Sequence, residues 1–350
     1  MKQGNNEILN KYLYKLLFLI SGTLFFLLSS CTHSPTSPST FPNMDTLNLT
    51  MDIVNGNYEL AWSSPLNSSI KYNIYRRTED SKLWTKVGSV IGNKWDDSSI
   101  VNLNGYFLYE YSLTYSYGSS DESKMSKPLS VYTVTDNFND NINRWVDPSD
   151  TEGLKNVTVS NGEMLVNCEP NTHFTVFKQA DSWENLTFVV DAKSAQDEGS
   201  NSVYNYGVNI RCTSDDSTWA FYEFDFTNNV DRWLGLYNGN WVYGPAGYIN
   251  RNINQWHTIK VKVNGNFFNG YFDDKPDINC DPSRLEFANS APLVHGGVGM
   301  STQGGVSVFD NVKVLITSWD TTLSGMSKIS NLKEFAKYGL SIPAVAPVKH

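Results

Sequence analysis

The sequence predicts an all-β protein with two β-sandwich domains in series. Short segments such as ELAWSS, IKYNIYRR, LTFVVDAKS, WAFYEFDFT and HTIKVKVNG alternate apolar and polar residues, which is typical of strands with one buried face. Clusters of Gly, Asn, Asp and Ser separate these segments, as turns require. No helical period runs through residues 136–314, and a chain of 350 residues exceeds one average domain.

The composition indicates a folded protein that does not bind nucleic acid. The chain is 40% hydrophobic and 18% charged, which is usual for globular domains. Its net charge is -9, whereas contact with phosphates needs clustered Lys and Arg. The acidity therefore excludes a nucleic-acid partner without identifying another one.

The first residues have the pattern of an export signal. Lys2, Lys11 and Lys15 precede an apolar run from Leu16 to Leu28. That run is shorter than a typical membrane-spanning helix and lies at the extreme N-terminus. We therefore predict a processed segment rather than part of the fold.

The apolar run ends at LSSC, Leu28–Cys31, which resembles the lipobox of bacterial lipoproteins. The resemblance implies a signal peptide, an acylated Cys31 at the mature N-terminus and a stable membrane anchor. Thr32 follows in place of Asp, which by the same resemblance favours the outer membrane or cell surface of a bacterial envelope. An ordinary cleaved signal or an uncleaved anchor is the alternative.

Composition and patterning divide the rest of the chain. The Pro-, Ser- and Thr-rich stretch after Cys31 predicts a flexible tether. Near the C-terminus, Ile329, Leu332 and Ala336 share one helical face before Gly339, which predicts a short helix. The predicted segments are a signal peptide, a tether, a first domain, a second domain and a C-terminal tail, at 1–31, 32–44, 45–134, 135–316 and 317–350.

The cysteines indicate little disulfide bonding. Once Cys31 is acylated, Cys168, Cys212 and Cys280 remain, and an odd number permits at most one bridge. No CxxC and no His at ligand spacing accompanies them, which argues against zinc. Cys212 continues the apolar alternation of its strand, so we expect a buried thiol there, facing the same way as Val208.

The first domain resembles a fibronectin type III domain over its whole length. Trp62, Tyr72 and Ile74 occupy positions that match the family's core. The step of six residues from Leu103 to Tyr109 matches its tyrosine corner, in which the hydroxyl bonds to backbone near the preceding corner. Such a domain implies a spacer or a protein-contact module, since the fold carries no chemistry of its own.

The second domain resembles the concanavalin A-like lectin and glucanase superfamily, including its laminin G-like and sugar-hydrolase-related members. The resemblance rests on DNFNDNINRW, SNGEMLV, YGVNIR, NQWHTIKVKVNGN and GGVGMSTQGGVSVFDNVKV. The YGVNIR strand is also similar to glucoside 3-keto hydrolase-like domains. The predicted fold is therefore a fibronectin type III-like β-sandwich followed by a concanavalin A-like jelly-roll β-sandwich, with a short C-terminal helix.

Strand parity places polar groups on the non-core face of the second domain. In YGVNIRC and WAFYEFDF every second residue is apolar, and the residues between them point to the opposite face. The resemblance implies that this face is the concave, sugar-binding one, and parity places Arg211 on it with Glu223 and Asp225. A solvated cross-strand charge pairing is the alternative. The predicted binding residues are Asn209, Arg211, Trp219, Phe221, Glu223 and Asp225.

An aromatic-rich segment, DRWLGLYNGNWVYGPAGY, extends the predicted binding set. Flat aromatic side chains stack on sugar rings and bury a large area with little loss of entropy. Its aromatic residues are Trp233, Tyr237, Trp241, Tyr243 and Tyr248. The first four join the binding set, with Trp233 and Trp241 as an exposed rim, while some of the five are expected in the core.

The sequence lacks a recognisable hydrolytic pair. Retaining glucanases of this superfamily carry ExDxxE or ExDxE, which supplies a nucleophile and an acid on one face. Here Glu223 and Asp225 are present, but Thr227 and Asn228 stand where the second Glu belongs. Hydrolysis by that route is therefore not expected, and no catalytic residue is assigned.

Oxygen ligands at the two ends of the second domain suggest a structural calcium ion. Asp136, Asn139, Asp140 and Asp310 are donors of the kind that calcium prefers. Turn capping by Asp and Asn is the simpler alternative.

These observations predict a lipid-anchored surface protein whose second domain binds an oligo- or polysaccharide without cleaving it. One alternative is a glycoside hydrolase or related sugar-active enzyme. The other is a structural or adhesive surface protein that binds another protein through the same face. The remaining expected partner is the membrane, through the N-terminal lipid.

Overall fold

The computed structural model describes residues 43–63, 70–101, 103–117, 121–139, 145–146, 157–167, 172–177, 182–194, 205–213, 218–225, 229–237, 240–248, 254–280, 295–303 and 305–320. The signal peptide with Cys31, nearly all of the tether, Asp140 and the predicted C-terminal helix lie outside these residues. No helix in the described part has the length and hydrophobicity to span a membrane.

The all-β class is confirmed, because the described elements are strands apart from one 3-10 turn at Met44–Thr46. The strands of the first sandwich are β1 (Leu49–Val54), β2 (Asn57–Trp62), β3 (Lys71–Thr78), β4 (Thr85–Ile91), β5 (Lys94–Asp96), β6 (Gly105–Tyr117), β7 (Asp121–Glu122) and β8 (Leu129–Asp136).

The second sandwich contains fourteen described strands. They are β9 (Trp145–Val146), β10 (Val157–Ser160), β11 (Glu163–Asn167), β12 (Thr172–Phe177), β13 (Trp183–Ser194), β14 (Asn205–Cys212), β15 (Thr218–Asp225), β16 (Val230–Tyr237), β17 (Asn240–Tyr248), β18 (His257–Asn264), β19 (Phe267–Phe272), β20 (Lys275–Cys280), β21 (Gly297–Gln303) and β22 (Val306–Trp319).

The first sandwich packs a three-stranded sheet, β1-β2-β5, against the strands β4-β3-β6-β8. Trp62 lies in its core, as predicted, with its ring 5.2 Å from that of Tyr72. The predicted tyrosine-corner bond is not found among the described contacts of Tyr109. Tyr111 instead donates its hydroxyl to Oδ2 of Asp97 at 2.8 Å. This buried bond ties β6 to the segment after β5.

The two sandwiches share one continuous sheet. β8 pairs with β6 of the first sandwich and with β22 of the second, so that Val134 lies between Tyr106 and Val314. The predicted boundary between residues 134 and 135 therefore falls inside a strand. The antiparallel pairing of β8 with β22 also brings the two ends of the second sandwich together.

Strands in the middle of this sheet are buried on both faces. In β22, Val314 and Ile316 lie in the core of the second sandwich, whereas Leu315 lies in the core of the first. In β13, Val189 likewise packs into the first core and Val190 into the second. Alternation along a strand thus divides its side chains between two hydrophobic cores.

Polar contacts also connect the first sandwich to the second. Asn55 and Gly56 form the two-residue turn between β1 and β2, both with positive φ, at 47° and 74°, as type I′ hairpins require. The carbonyl of Gly56 accepts a bond from Lys313 Nζ at 2.7 Å. Asp52 accepts bonds from Thr187 Oγ1, at 3.1 Å, and from Lys262. The first sandwich is therefore held against the second by apolar and charged contacts.

The second sandwich packs two sheets around a large apolar core. One is the shared sheet, whose strands in this sandwich pair in the order β20-β19-β18-β13-β22. In the same sheet β11 also pairs with β22, and β10 pairs with β11. The other is seven-stranded, in the order β17-β16-β15-β14-β21-β12-β9. Core side chains from β14, β15 and β21 face those of β13, β18 and β22, which is the arrangement of a β-sandwich.

Because β8 and β22 serve both cores, we expect the two sandwiches to unfold in one cooperative transition. Leu315→Ala should lower the free energy of unfolding by about 2–5 kcal/mol, the usual loss for a buried leucine, without splitting that transition. Urea denaturation followed by circular dichroism and tryptophan fluorescence measures both quantities.

The matched control is Leu83→Ala, because the Leu83 side chain is 78% exposed. The free energy of unfolding of this variant should differ from that of the wild type by less than about 0.5 kcal/mol. Two separated transitions, or a Leu315→Ala variant in which only one sandwich melts early, would contradict the shared-core arrangement.

Candidate functional site

The candidate site lies on the outer face of the seven-stranded sheet, which we define as the face turned away from the core. In β15, Ala220, Tyr222 and Phe224 belong to the core. The alternate residues, among them Phe221 and Glu223, therefore point outward, as strand parity predicts. Trp219, Phe221, Leu234 and Cys212 form a small separate apolar cluster there.

A buried charge cluster lies beside these apolar residues. Asn205 Nδ2 donates to Glu223 Oε1 at 2.8 Å, and Arg232 Nε donates to Glu223 Oε2. Arg232 Nη2 also lies 3.6 Å from Asp225 Oδ2. The side chains of Glu223 and Asp225 are 3% and 2% exposed, and that of Arg232 is 30% exposed. One guanidinium therefore bridges two buried carboxylates and gives the cluster its contact with solvent.

The local hairpin explains this arrangement. β15 and β16 pair so that Glu223 lies opposite Arg232 and Asp225 opposite Val230. Directly paired residues in antiparallel strands share a face, so Arg232 must point outward with Glu223. Asn205 and Gly207 lie on β14, paired with Asp225 and Glu223 respectively.

Burial changes the proton affinity of the central carboxylate. Removal from water raises the pKa of Glu223 above its ordinary value, while hydrogen bonds from Arg232 and Asn205 act in the opposite direction. The nearby charge of Asp225 raises the pKa further. Glu223 therefore keeps its proton to a higher pH than an exposed glutamate does.

Asn209 is a buried polar residue of this face whose amide is unsatisfied. It is fully buried, and neither its amide oxygen nor its amide nitrogen has a hydrogen-bond partner among the described residues. In the sheet it pairs with Phe221 on one side and with Gly299 on the other. Because buried polar groups nearly always find partners, two orphaned amide atoms in one side chain call for an explanation.

The predicted position of Arg211 is wrong. The pairing of β14 with β21 shifts between Ile210 and Cys212, and Arg211 has a φ of 58°. This bulge turns the side chain away from the outer face. Arg211 Nη1 donates to the carbonyl of Trp183 at 2.9 Å, and Nη2 to that of Gly265 at 3.2 Å. Arg232, which parity alone did not identify, is the cation beside the carboxylates.

The same bulge corrects the predicted direction of Cys212. The thiol is buried, as expected, but it lies in the apolar cluster with Phe221 rather than in the core with Val208. Gly296 makes the bulge possible, because a Cβ there would lie 2.4 Å from the carbonyl carbon of Arg211. An extra residue in one strand reverses the parity of everything after it.

The predicted rim position of Trp233 is also wrong. The indole is fully buried in the core, stacked on Tyr222 with ring centroids 4.8 Å apart. Its Nε1 donates to the carbonyl of Ile278 at 2.9 Å. Trp233 pairs with Tyr222 across the β15–β16 hairpin, so both rings face inward.

The exposed aromatic residues of this segment are instead two tyrosines of β17. Tyr243 is 62% exposed and Tyr248 is 77% exposed. The side chains of Tyr237 and Trp241 lie outside the described residues, although the backbone of each belongs to a strand. Tyr243 therefore remains a candidate contact residue, and Tyr248 joins it.

The described residues of the predicted calcium site make hydrogen bonds within the protein. Asp136 is fully buried, and its Oδ1 and Oδ2 accept bonds from Phe138 N at 2.9 Å and from Trp145 Nε1 at 2.8 Å. Asp310 accepts from Asn311 N at 2.6 Å. Within the described ranges no group of three His, Cys, Asp or Glu side chains could hold a metal ion. Local capping accounts for the bonds from Phe138 N and Asn311 N, and a calcium ion remains a prediction that depends on Asp140.

The new position of Arg211 predicts a stability effect in place of a binding effect. Burial lowers the pKa of Arg211 to about 10, so the guanidinium is charged at neutral pH. Arg211→Met removes two charged hydrogen bonds to carbonyls and should lower the free energy of unfolding by about 2–4 kcal/mol. Arg77→Met, which removes a more exposed ion pair with Glu110, should cost under about 1 kcal/mol.

Chemical denaturation of the two variants checks this prediction. Suppose that Arg211→Met had the same free energy of unfolding as Arg77→Met but no longer bound a ligand that the wild type binds. The Arg211 side chain would then have to lie on the outer face. The geometry of the bulge would then be incorrect.

The second sandwich matches a known family in sequence. The sequence profile of the 3-keto-alpha-glucoside-1,2-lyase-like domain matches residues 133–315. No curated protein is similar enough in sequence to match the chain.

Solved structures with similar folds include three proteins of bacteria. The carbohydrate-binding module CBM66 from Bacillus subtilis is 17% identical, with a TM-score of 0.40, over 49% of this chain and 96% of that one. A Bacillus licheniformis beta-glucanase is 15% identical, with a TM-score of 0.39, over 53% and 98%. A putative glycosyl hydrolase from Parabacteroides distasonis is 13% identical, with a TM-score of 0.36, over 50% and 88%.

The profile match covers the second sandwich from the end of β8 to β22, which is more than half of the sequence. Through that sandwich, the chain belongs to the family of 3-keto-alpha-glucoside-1,2-lyase-like domains.

Proposed function

We propose that the second sandwich binds carbohydrate on its outer face without cleaving it, and that an N-terminal lipid holds the protein at the bacterial cell surface. The observation that carries the binding proposal is Asn209, whose buried amide has no partner among the described residues. The family of the second sandwich, named for a glucoside, supports a sugar as the ligand.

The energetics of Asn209 favour a ligand. Burying an amide without hydrogen bonds costs about 1–3 kcal/mol, which an apolar residue of similar size would avoid. An amide offers both a donor and an acceptor, and sugar hydroxyls present both in a small volume. A sugar hydroxyl that reached this amide would therefore supply the missing hydrogen bonds.

The charge cluster supplies acceptors for the same ligand. Glu223 and Asp225 are held in place by Arg232 and Asn205, so their oxygens keep a fixed direction. Carboxylate acceptors form stronger hydrogen bonds than neutral groups. Phe221 and Trp219 pack beside this cluster on the same face, with 3% and 2% of their surfaces exposed. Such a mixture of fixed polar groups and flat rings suits a polyhydroxylated ring.

The arrangement favours binding over hydrolysis. A glycosidase needs one carboxyl as acid and a second as nucleophile or base, whereas Glu223 and Asp225 here share one guanidinium. The second Glu of the glucanase motif is replaced by Thr227 and Asn228. No further carboxylate joins this pair on the described part of the outer face.

An enzymatic alternative follows from the family description and from one property of Glu223. A 1,2-lyase acting on a 3-keto-glucoside transfers the C2 proton, which the adjacent ketone makes acidic, to a base; a C1–C2 double bond forms as the C1–O bond breaks, and its electron pair leaves with the oxygen. This elimination needs one base and no acid–nucleophile pair. Burial raises the pKa of Glu223, which brings a carboxylate closer to the proton affinity of a useful base.

Binding and stability together test the proposal. Asn209→Leu should bind at least about tenfold more weakly to the best ligand of a glycan array, because a hydrogen-bonding group is lost. Its free energy of unfolding should be unchanged or higher, since an unsatisfied buried amide disappears. Calorimetric titration and a urea melt measure the two effects, with the exposed Asn264→Leu as control.

The opposite pattern would contradict the proposal. If Asn209→Leu were destabilised yet bound normally, the amide would be structural. Binding to no arrayed glycan would leave recognition of a protein as the better explanation. Release of product from a glycan or 3-keto-glucoside, abolished in Glu223→Gln, would favour the enzymatic alternative.

The first sandwich is proposed to be a fibronectin type III-like spacer. The order β1-β2-β5 against β4-β3-β6-β8 supports this assignment. Its contacts with the second sandwich through Asp52 and Gly56 suit a rigid support between the tether and the outer face. The fold itself assigns no ligand to it.

The lipid anchor rests on Cys31 and can be tested separately. The wild-type protein should partition into the detergent phase and Cys31→Ala into the aqueous phase, because two or more acyl chains are needed for stable anchoring. Cys31→Ser serves as the isosteric control and should behave like Cys31→Ala. Equal aqueous recovery of wild type and both variants would exclude the anchor.

A further inference from the structure

The edge strand β17 carries two exposed aromatic side chains beside the charge cluster. Tyr243 and Tyr248 are among the most exposed large side chains of the described residues. β17 is the outermost strand of the seven-stranded sheet, and it pairs with β16, which carries Arg232. The tyrosines therefore lie one strand away from the proposed binding site.

The pairing of β17 shows that both tyrosines lie on the outer face. Val242 packs against the core, so the neighbouring Tyr243 points the other way. A Cβ at Gly247 would meet Asp231 and Ile278 on the inner side, so Tyr248, its neighbour, points outward. Successive residues of a strand face opposite sides of the sheet.

The tyrosines bracket Arg232 along the sheet. Tyr243 pairs with Leu234, Ala246 with Arg232, and Tyr248 with Val230. Leu234 and Val230 are four residues apart, so the backbone positions of the two tyrosines lie about 13 Å apart along the strand direction. That separation is longer than one pyranose ring. A ligand that contacts both rings must therefore have several sugar units.

The charges of the face restrict the ligand further. Glu223 and Asp225 outnumber Arg232, and the guanidinium is already engaged with both carboxylates. The described residues of the outer face include no second Lys or Arg, so an acidic sugar would find two carboxylates and no available cation. Like charges facing each other across an interface oppose binding.

Resting on the proposed function, we infer that the outer face binds a neutral glycan chain of several rings, which lies along β17 and stacks on Tyr243 and Tyr248. The sugar beside Arg232 reaches the buried cluster, and its neighbours in the chain cover the tyrosines. Each ring supplies a flat apolar surface, which is the usual means of holding a sugar.

A protein strand added to β17 is the competing occupant. Edge strands can pair with another chain through their backbone. In that mode the tyrosine side chains would matter little, and sugar-chain length would not matter at all.

The test uses the full mature protein and series of neutral malto-, cello- and laminari-oligosaccharides from one to six rings, with oligogalacturonides as the acidic series. In the series that binds, affinity should rise with chain length, and the acidic series should bind more weakly. Tyr243→Ala and Tyr248→Ala should each weaken binding of the six-ring ligand about 3- to 10-fold, as expected for one aromatic contact.

The shortest ligand that binds should lose much less affinity in the tyrosine variants. Phe267→Ala removes a comparably exposed ring, at 59%, from β19 of the other sheet and should leave affinity unchanged. Affinity that is independent of length, unaffected by the tyrosine variants or higher for oligogalacturonides would overturn this inference alone. Binding to none of the ligands would reject the proposed function and this inference together.

Discussion

The pairing of β8 with β22 is the constraint on which the rest of the structure depends. It closes the second sandwich at its two ends and attaches the first sandwich in the same step. β22 also pairs with β11 and β13, so one long strand connects the elements of the shared sheet. Because its side chains enter two cores, the position of each sandwich is determined by the packing of the other.

This rigidity bears on the outer face. A binding site made from three neighbouring strands needs those strands in fixed register, since a slip of one residue would reverse every side chain. β14, β15 and β16 are held from behind by the core, through side chains such as Tyr222 and Trp233. Asn205, Glu223 and Arg232 can then keep their geometry without a ligand.

The outer face also carries groups that are unfavourable to bury. Two carboxylates are buried against one guanidinium, and burying such charges costs more than an apolar replacement would. The amide of Asn209 adds a second cost. Buried polar groups that lower stability are commonly kept where function requires them. A sugar with many hydroxyls can form hydrogen bonds with such groups.

The features that depend on local alternation of apolar and polar residues could be predicted from the sequence. The strands, the two sandwiches and the inward direction of Tyr222 and Phe224 follow from a period of two and from apolar residue type. The positions of Arg211 and Trp233 were missed for different reasons. A bulge at Arg211 reverses parity without a clear sequence signal, whereas the inward direction of Trp233 follows from the antiparallel pairing of β15 with β16.

That pairing would also have identified Arg232. Asp225 and Val230 flank the tetrapeptide FTNN, and pairing residues outward from it places Arg232 opposite Glu223. The shared sheet could not be predicted in this way, because it joins β8 to a strand almost two hundred residues later. Burial of both faces of a strand depends on tertiary packing, which local alternation does not describe.

The central claim, that the outer face around Asn209 is a sugar-binding site, is tested most directly by the structure of the protein with its best glycan bound. The account predicts that the Asn209 amide donates to or accepts from a ligand hydroxyl at hydrogen-bond distance, with the glycan beside Glu223 and Arg232. A glycan bound elsewhere, with the Asn209 amide still without a partner, would contradict it.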